Sequence, residues 1–388
     1  MIDTIDFEAL RAIGLGEAMR RQLDHGVADP WLRPMRVIEV QRAELRLHDG
    51  RALHRAVCLP SLARELADDD DALAVGDWVL ARADGVAGAG GCTITCRLLP
   101  HSRITRRTRD GGRRGDQCGT AQRQVLVSNV DTALLVMGLD HDFQLRRLER
   151  YLALARLSGV AAVLVLSKAD TVAPELAAQR LAQVADLLPQ RLPALALDLR
   201  DDQAAAALAP WLQPGQTLVL LGSSGAGKST LANTLRRAYG AAASGRAAQI
   251  TGAARADDNR GRHTTTARSL LPLPGGACII DTPGLRALRL DVVDANQLAD
   301  AFGDVARHAP LCRFRDCQHR QEPACAVRGA VPETRLLNFQ KLLHEASRDS
   351  QATLERRAQR ARWKARGRAG QAPARAKRAG HPGGEGMG

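Results

Sequence analysis

A nine-residue segment near the middle of the chain has the composition of a phosphate-binding loop. The segment Gly222–Thr230 reads Gly-Ser-Ser-Gly-Ala-Gly-Lys-Ser-Thr, follows an apolar run and precedes a helical pattern. Glycines let such a loop turn its N–H groups toward phosphate oxygens, and the next helix adds partial positive charge at its N-terminus. In this setting we expect Lys228 to contact the β- and γ-phosphates during catalysis and Ser229 to bind Mg²⁺. The predicted phosphate-contacting residues are Gly222, Ser223, Ser224, Gly225, Ala226, Gly227, Lys228, Ser229 and Thr230.

A second segment supplies a candidate magnesium ligand. Asp281-Thr282-Pro283-Gly284 follows the apolar run Cys278–Ile280, which predicts a strand. A carboxylate that follows a strand beside a phosphate-binding loop can hold Mg²⁺ through water, and the N–H group of Gly284 can meet the γ-phosphate. We therefore predict that Asp281 and Gly284 belong to the nucleotide site.

A third segment indicates which base the site reads. Ser167-Lys168-Ala169-Asp170 follows the apolar run Val160–Leu166 and is similar to the guanine-reading motif Asn-Lys-x-Asp of GTPases. The carboxylate of Asp170 can accept both the N1–H and the exocyclic amine of guanine, whereas adenine offers no matching donors and leaves the charge unpaired. We expect the stem of Lys168 to pack over the base. Ser167 replaces the usual Asn, so one amide group is missing.

A threonine-rich run is the candidate switch loop. Gly261-Arg262-His263-Thr264-Thr265-Thr266 lies between the phosphate-binding loop and Asp281. We predict that Thr265 completes Mg²⁺ coordination when the γ-phosphate is present. Leu285 stands where Ras-like GTPases carry the glutamine that orients the attacking water. His263 is the nearest polar candidate for this catalytic role, and the alternative is that His263 only packs or forms structural hydrogen bonds.

Three cysteines and one histidine form a separate candidate metal site. Cys312, Cys317, His319 and Cys325 offer three thiolates and one imidazole, which is the ligand set of a structural zinc site. Four protein ligands leave no open position for water, so a catalytic zinc fits the pattern less well. The alternative is a group of buried free cysteines with a surface histidine. We predict one structural zinc ion per chain.

The first third of the chain divides into three segments. Residues 1–32 have an amphipathic helical pattern, and residues 33–100 contain five short β-like runs separated by turn signals. Five short strands in so few residues predict a small OB-type β-barrel. Residues 101–123 are interpreted as a basic linker, and the arginine-rich segment Arg103–Asp116 within it fits either a solvated flexible loop or a loop that contacts phosphates.

The rest of the chain also divides into three segments. Residues 124–292 alternate apolar runs, beginning with Val125–Val127, with helical stretches. This alternation predicts an α/β domain whose parallel sheet is covered on both faces. Residues 293–348 form a small zinc-binding domain, and residues 349–388 form a basic tail that is partly disordered.

The order of the nucleotide motifs is a circular permutation of the GTPase order. Ordinary GTPases begin with the phosphate-binding loop and end with the base-reading motif, whereas Ser167–Asp170 here precedes Gly222–Thr230. With the barrel before this domain and the Cys₃His unit after it, the chain resembles the ribosome small-subunit-dependent GTPase A family over residues 31–345. The resemblance also includes Gly76-Asp77-Trp78-Val79, Asn129-Val130-Asp131, Arg147-x₂-Arg150-Tyr151-Leu152 and His263–Thr266.

The resemblance implies a multidomain cytoplasmic enzyme that hydrolyses GTP to GDP and phosphate slowly. It further implies stimulation by the small (30S) ribosomal subunit and a role late in the assembly of that subunit, through binding to its rRNA. Zinc and Mg²⁺ are the implied cofactors, and other assembly factors are further candidate partners. Two departures from the family pattern are Ser167 and Ala196–Asp198, which replaces the usual Ser-Ala base loop.

The composition agrees with an RNA partner. The formal net charge of +13 favours a polyanion, while the 3% aromatic content argues against base stacking as the main mode of binding. No apolar run is long enough to span a membrane, and the first residues lack the pattern of a signal peptide. We therefore expect no membrane partner, and we expect a monomer.

Two other functions fit the same motifs. One is a nucleotide-gated rRNA-binding scaffold with negligible turnover, and GTP turnover measured with and without ribosomal subunits separates it from an enzyme. The other is a P-loop ATPase with a zinc module, in which Ser167–Asp170 is fortuitous. Displacement of GTP by ATP would favour the ATPase.

Overall fold

The structure is a computed structural model that describes most of the chain outside a few loops and the tail. The described residues are 5–24, 29–41, 44–69, 71–83, 91–109, 121–187, 192–240, 268–282 and 295–346. Within these ranges no helix is both long and apolar enough to cross a membrane.

A closed five-stranded barrel forms the first domain, as predicted. Its strands are β1 (Leu32–Gln41), β2 (Glu44–His48), β3 (Leu53–Cys58), β4 (Trp78–Ala83) and β5 (Cys92–Arg97). They are joined in the order β1-β2-β3-β5-β4, and antiparallel pairing of β1 with β4 closes the ring. Inward-facing residues such as Met35, Val37 and Ile94 fill the interior, and helix α3 (Pro60–Asp68) packs Leu62 against it.

Two short helices cover the outside of the barrel. The helices α1 (Phe7–Arg11) and α2 (Glu17–Asp24) are numbered before α3 because they precede the barrel in the chain. Met19 and Leu23 of α2 pack with Trp78 and Leu80, so β4 is covered on its outer face. The amphipathic pattern of the N-terminal segment therefore serves to shield this strand.

The segment predicted as a basic linker is a β-hairpin in part. Strand β6 (Arg103–Arg109) pairs antiparallel with β7 (Ala121–Ser128) in a separate two-stranded sheet. The prediction that Val125–Val127 belongs to the parallel sheet is therefore wrong. The many arginines of this segment mask the alternating pattern that would indicate a strand. In the hairpin, Ile104 faces Val127, and both side chains are buried.

The predicted parallel sheet follows the hairpin. Its strands are β8 (Thr132–Gly138), β9 (Ala161–Ser167), β10 (Ala194–Ala196), β11 (Thr217–Gly222), β12 (Ser269–Pro272) and β13 (Cys278–Asp281), in the order β10-β9-β8-β11-β13-β12. All neighbours are parallel except β12, which pairs antiparallel with β13 and also meets β1 of the barrel at Glu39 and Ser269. Its helices are α4 (Leu145–Leu157), α5 (Pro174–Leu187), α6 (Gln203–Leu208) and α7 (Lys228–Ala238). Leu135 and Leu134 face different core clusters, which is why these strands are apolar throughout.

The topology brings four loops to one edge of the sheet. Strands β8, β9, β11 and β13 run in the same direction, so the segments that follow them meet at their carboxyl ends. The chain order reverses between β8 and β11, and open α/β sheets bind ligands at such a switch point.

A helical C-terminal domain packs on α4. It contains α8 (Ala295–Ala301), α9 (Gly303–His308), α10 (Ala326–Ala330) and a last helix, α11, over residues 333–346. Its apolar side chains Phe302 and Phe339 belong to the same core cluster as Leu152 of α4. The buried guanidinium of Arg335 donates to Glu149 of α4 at 2.6 Å.

One buried arginine joins the barrel to the parallel sheet. Arg36 of β1 is fully buried, and its guanidinium donates to the carbonyl of Ile13 at 2.6 Å and to the hydroxyl of Thr217 at 2.7 Å. It also donates to the carbonyl of Asn129 and lies over the ring of Trp78. The N-terminal segment, the barrel and the start of β11 therefore meet at one side chain.

Candidate functional site

The loop between β11 and α7 has the curled shape that the phosphate-binding pattern predicts. Gly225 and Gly227 have φ values of +81° and +97°, which residues with side chains rarely adopt. A Cβ on Gly222 would lie 2.2 Å from a carbonyl oxygen of β8, so only glycine fits between these strands. The Nζ of Lys228 donates to the carbonyls of Gly222 at 2.9 Å and Ser223 at 2.6 Å. The ammonium is thus held at the mouth of the loop.

The electrostatics of this loop centre on Lys228. Burial lowers the pKa of Lys228 from its ordinary value, while the carboxylates of Asp281 and Asp142 act in the opposite direction. Asp281 is buried at the end of β13, where its backbone pairs with Leu220 of β11. The predicted magnesium ligand and the predicted phosphate-contacting lysine therefore share one electrostatic environment, as a nucleotide site requires.

Asp142 is a site residue that the sequence analysis missed. It follows β8, and its carboxylate accepts hydrogen bonds from the Ser223 hydroxyl at 2.6 Å and the Gly138 N–H at 3.0 Å. It also forms an ion pair with Arg147 of α4. A single aspartate carries no motif in the sequence, and only its position after a strand that ends beside the phosphate-binding loop could have indicated a role.

The base-reading segment contacts the phosphate-binding loop directly. Ser167 ends β9, is 1% exposed, and donates its hydroxyl to the carbonyl of Ala226 at 2.7 Å. Lys168 has a φ of +62°, and its Nζ donates to Asp140 at 2.7 Å. The N–H group of Ala169 donates to the carbonyl of Leu197. The hydroxyl of Ser167 thus links the two segments without the usual asparagine amide.

The remaining residue of this segment, Asp170, contacts an arginine from the loop after β10. The carboxylate of Asp170 accepts a hydrogen bond from Arg200, which also pairs with Asp198. In the sequence, Ala196–Asp198 departs from the usual base loop, and Arg200 belongs to no motif. Because Asp170 and Arg200 lie on different loops, only the fold brings them together.

Three predicted site residues cannot be placed. His263, Thr265 and Gly284 lie outside the residues that the structure describes, as does Leu285. The described part of the nucleotide site therefore consists of the phosphate-binding loop, Asp281, the base-reading segment and Asp142.

The four predicted metal ligands converge in the C-terminal domain. The ligand atoms of Cys312, Cys317, His319 and Cys325 all lie within 4.8 Å of one another, so the group could hold a metal ion. Nδ1 of His319 lies 3.6 Å from Sγ of Cys312 and 3.5 Å from Sγ of Cys325. His319 has a φ of +58°, and its carbonyl accepts a hydrogen bond from Gln340 of α11. Backbone geometry and packing thus turn the imidazole toward the thiols.

Known proteins are similar to this chain in sequence and in its permuted fold. Residues 101–291 match the model of the RsgA GTPase family. The chain is 43% identical over 340 residues to the small ribosomal subunit biogenesis GTPase RsgA of Opitutus terrae, covering 85% of this chain and 89% of that protein. The structure of YjeQ from Thermotoga maritima aligns with a TM-score of 0.57 at 20% identity, over 81% of this chain and 98% of that one.

The structure of YloQ, described as a circularly permuted GTPase, aligns with a TM-score of 0.56 at 19% identity. The alignment covers 81% of this chain and 95% of that one. The strand order and the order of the nucleotide segments agree with this permutation. Together with the identity to the relative from Opitutus terrae, these features establish that the chain is a GTPase of the RsgA family.

Proposed function

We propose that this GTPase acts in the assembly of the small ribosomal subunit, and that its turnover of GTP to GDP and phosphate is slow until the subunit binds. The contact between the Ser167 hydroxyl and the Ala226 carbonyl carries the nucleotide assignment, because it holds the base-reading segment against the phosphate-binding loop. The relative from Opitutus terrae is named for biogenesis of that subunit, which supports the choice of partner.

Two loops among the described residues bind different parts of GTP. Loop N–H groups and Lys228 bind the β- and γ-phosphates, while the carboxylate of Asp170 selects guanine. Asp140 holds the ammonium of Lys168, which sets the position of the lysine stem beside the base. Ser229, Asp281 and Thr265 are the proposed ligands of Mg²⁺, which would neutralise developing charge on the phosphates.

Hydrolysis also requires a group that orients water. We assign this role to His263, because Leu285 cannot form a hydrogen bond. Low basal turnover follows if this group comes from the run Gly261–Thr266 rather than from the loop that contains Leu285. Contact with the ribosomal subunit would then fix the position of the imidazole.

Zinc is the metal that best fits the Cys₃His group. Zn–S bonds of about 2.3 Å and Zn–N bonds of about 2.0 Å place tetrahedral ligand atoms about 3.5–3.8 Å apart. The Sγ atoms of Cys312 and Cys325 are 3.9 Å apart, and each lies within 3.6 Å of Nδ1 of His319. Three thiolates and an imidazole favour zinc over the oxygen-seeking ions Mg²⁺ and Ca²⁺. The ion would be structural, because the protein fills all four positions.

The contact with rRNA is assigned to basic segments. Residues 350–388 contain ten lysines and arginines against Glu355 and Glu385, and the hairpin of β6 and β7 begins with an arginine-rich strand. Contacts of this kind to phosphates weaken as salt concentration rises. We also propose that the chain is a cytoplasmic monomer, and that other assembly factors share its site of action.

The test is a turnover assay with purified 30S subunits. We expect slow GTP hydrolysis by the free protein, a large increase with subunits, and no increase in His263→Ala, which should still bind GTP. Lys228→Ala is the control for contaminating activity. Equal rates with and without subunits would contradict the proposal. GTP-dependent binding to subunits without hydrolysis would instead identify the nucleotide-gated scaffold.

A further inference from the structure

Arg200 occupies a defined position beside the carboxylate that reads the base. It lies in the loop between β10 and α6, and its Nη2 donates to the carboxylate of Asp170. The N–H group of Arg200 donates to Asp198 at 2.9 Å, and its Nε donates to the same carboxylate oxygen at 3.2 Å. One aspartate therefore fixes both the backbone and the side chain of Arg200.

The backbone at Arg200 is anchored to the helix that starts at the phosphate-binding loop. The Thr234 hydroxyl of α7 donates to the carbonyl of Leu199 at 2.6 Å, and this bond is buried. Arg237, one turn further along α7, donates to the carbonyl of Arg200 at 3.0 Å and to Asp202 at 2.7 Å. The backbone of the loop that carries Arg200 is therefore tied by hydrogen bonds to the helix that follows the phosphate-binding loop.

Guanine carries three hydrogen-bonding groups in a row on its Watson–Crick edge. The exocyclic amine and N1–H are donors, and O6 beside them is an acceptor. A carboxylate can satisfy the two donors, but it leaves O6 facing a negative charge. A guanidinium next to that carboxylate supplies the missing donor, because its N–H groups point in fixed directions.

We propose that Arg200 is a specificity-determining residue that donates a hydrogen bond to O6 of guanine. The inference rests on the proposed binding of guanine at Asp170. The bonds to Asp170 and Asp198 use Nη2 and Nε of Arg200, so they leave Nη1 for the base. The Arg200 side chain is 68% exposed, and an ion pair this exposed contributes little to folding stability. Replacing Arg200 should therefore leave the fold intact, so that a change in nucleotide affinity can be attributed to the site.

Adenine would meet the opposite pattern at this pair. Its N6 amine would face the Arg200 guanidinium, and its N1 lone pair would face the Asp170 carboxylate. Both contacts are repulsive, and buried polar groups without partners cost free energy. The arginine thus adds to the discrimination that Asp170 provides alone. In this proposal, Arg200 contacts the base in place of the usual Ser-Ala loop, whose pattern Ala196–Asp198 does not match.

The test measures the affinities of wild type, Arg200→Ala and Arg200→Lys for three nucleotides by calorimetry. GTP has O6 and the amine, inosine triphosphate has O6 without the amine, and 6-thio-GTP has a weak sulfur acceptor instead of O6. We expect Arg200→Ala to weaken GTP and inosine triphosphate by about tenfold each, and 6-thio-GTP by less than about threefold. Arg200→Lys should recover part of the loss.

Arg64→Ala is the matched control, because Arg64 is an exposed arginine on α3 of the barrel. It should leave all three affinities unchanged. An Arg200→Ala variant that binds GTP as tightly as wild type, or that weakens all three nucleotides equally, would overturn the inference. If the proposed GTPase function itself were wrong, the wild-type protein would bind ATP as tightly as GTP. That result differs from failure of the Arg200 inference, in which the wild-type protein still prefers GTP.

Discussion

At the scale of single residues, a serine hydroxyl forms a hydrogen bond in the site at the position where the family pattern has an asparagine amide. Ser167 is shorter than asparagine, yet its hydroxyl reaches the carbonyl of Ala226. Asp142 ties the Ser223 hydroxyl to the loop after β8. Each of these contacts joins two of the loops that follow parallel strands. The nucleotide segments therefore form one connected structure before any ligand is considered.

Replacing Asp170 with asparagine should change the base that the protein selects. The asparagine amide presents a donor where guanine also has a donor, so we expect Asp170→Asn to weaken GTP binding by several kcal/mol. Xanthosine triphosphate has a carbonyl in place of the amine and should bind the variant more tightly than GTP does. Competition binding with both nucleotides measures the change.

Asp198→Asn is the matched control for this substitution, because Asp198 contacts Arg200 but is not assigned to the base. It should keep the preference for GTP over xanthosine triphosphate. Unchanged GTP affinity in Asp170→Asn would show that this carboxylate does not read guanine.

At the scale of elements, much of the architecture follows from periodicity. The helix over Leu145–Leu157 has apolar residues at helical spacing because one side of it is buried. The strands of the parallel sheet are apolar throughout because both of their faces are buried. The hairpin of β6 and β7 could not be predicted in the same way, since charge masks alternation in Arg103–Arg109. The role of Arg36 could not be predicted either, because its residue type gives no sign that its guanidinium binds Ile13, Asn129 and Thr217 in three separate parts of the chain.

A carboxylate between the barrel and the hairpin gives the elements a measurable pH dependence. Asp71 accepts hydrogen bonds from Arg97 of β5 at 2.8 Å and from Arg103 of β6 at 2.6 Å. Burial alone would raise the pKa of Asp71, but the bonds from Arg103 and Arg97 outweigh it and hold the pKa well below its ordinary value. A group with a depressed pKa stabilises the fold above its unfolded pKa of about 3.9 and loses that contribution as pH falls.

We therefore expect Asp71→Asn to lower the free energy of unfolding by about 2 kcal/mol at neutral pH. The difference from wild type should shrink as pH falls below about 4, because Asp71 of the unfolded chain takes up a proton there while the folded protein keeps its carboxylate ionised. Denaturant unfolding at several pH values measures it. Asp29→Asn removes a more exposed partner of Arg82 and should have a much smaller effect. A difference that stays constant down to pH 2 would contradict the assignment.

At the scale of the whole molecule, we expect the C-terminal domain to depend on a bound metal ion and the nucleotide site to be independent of it. None of the contacts described for the nucleotide segments involves residues 295–346. We expect one zinc per chain, and we expect Cys317→Ser to unfold the C-terminal domain and leave GTP affinity within about twofold of wild type. Metal analysis, hydrogen exchange over residues 295–346 and GTP titration measure the three outcomes.

Cys96→Ser is the control for this variant, because Cys96 is an exposed free thiol in β5. It should retain zinc and normal exchange. Protein purified without chelators that contains no zinc would refute the assignment of the Cys₃His group, as would normal protection of the C-terminal domain in Cys317→Ser.

The pairing of β1 with β12 has a consequence for solubility. An open edge strand exposes N–H and C=O groups on which another chain can add, and this is a route to aggregation. Strand β12 would be such an edge, but β1 of the barrel meets it at Glu39 and Ser269. At the opposite end of the sheet, β10 has only three residues and gives an intruding strand little to pair with. The barrel therefore covers part of this edge, and we expect a fragment that lacks the barrel to expose it and to self-associate more readily.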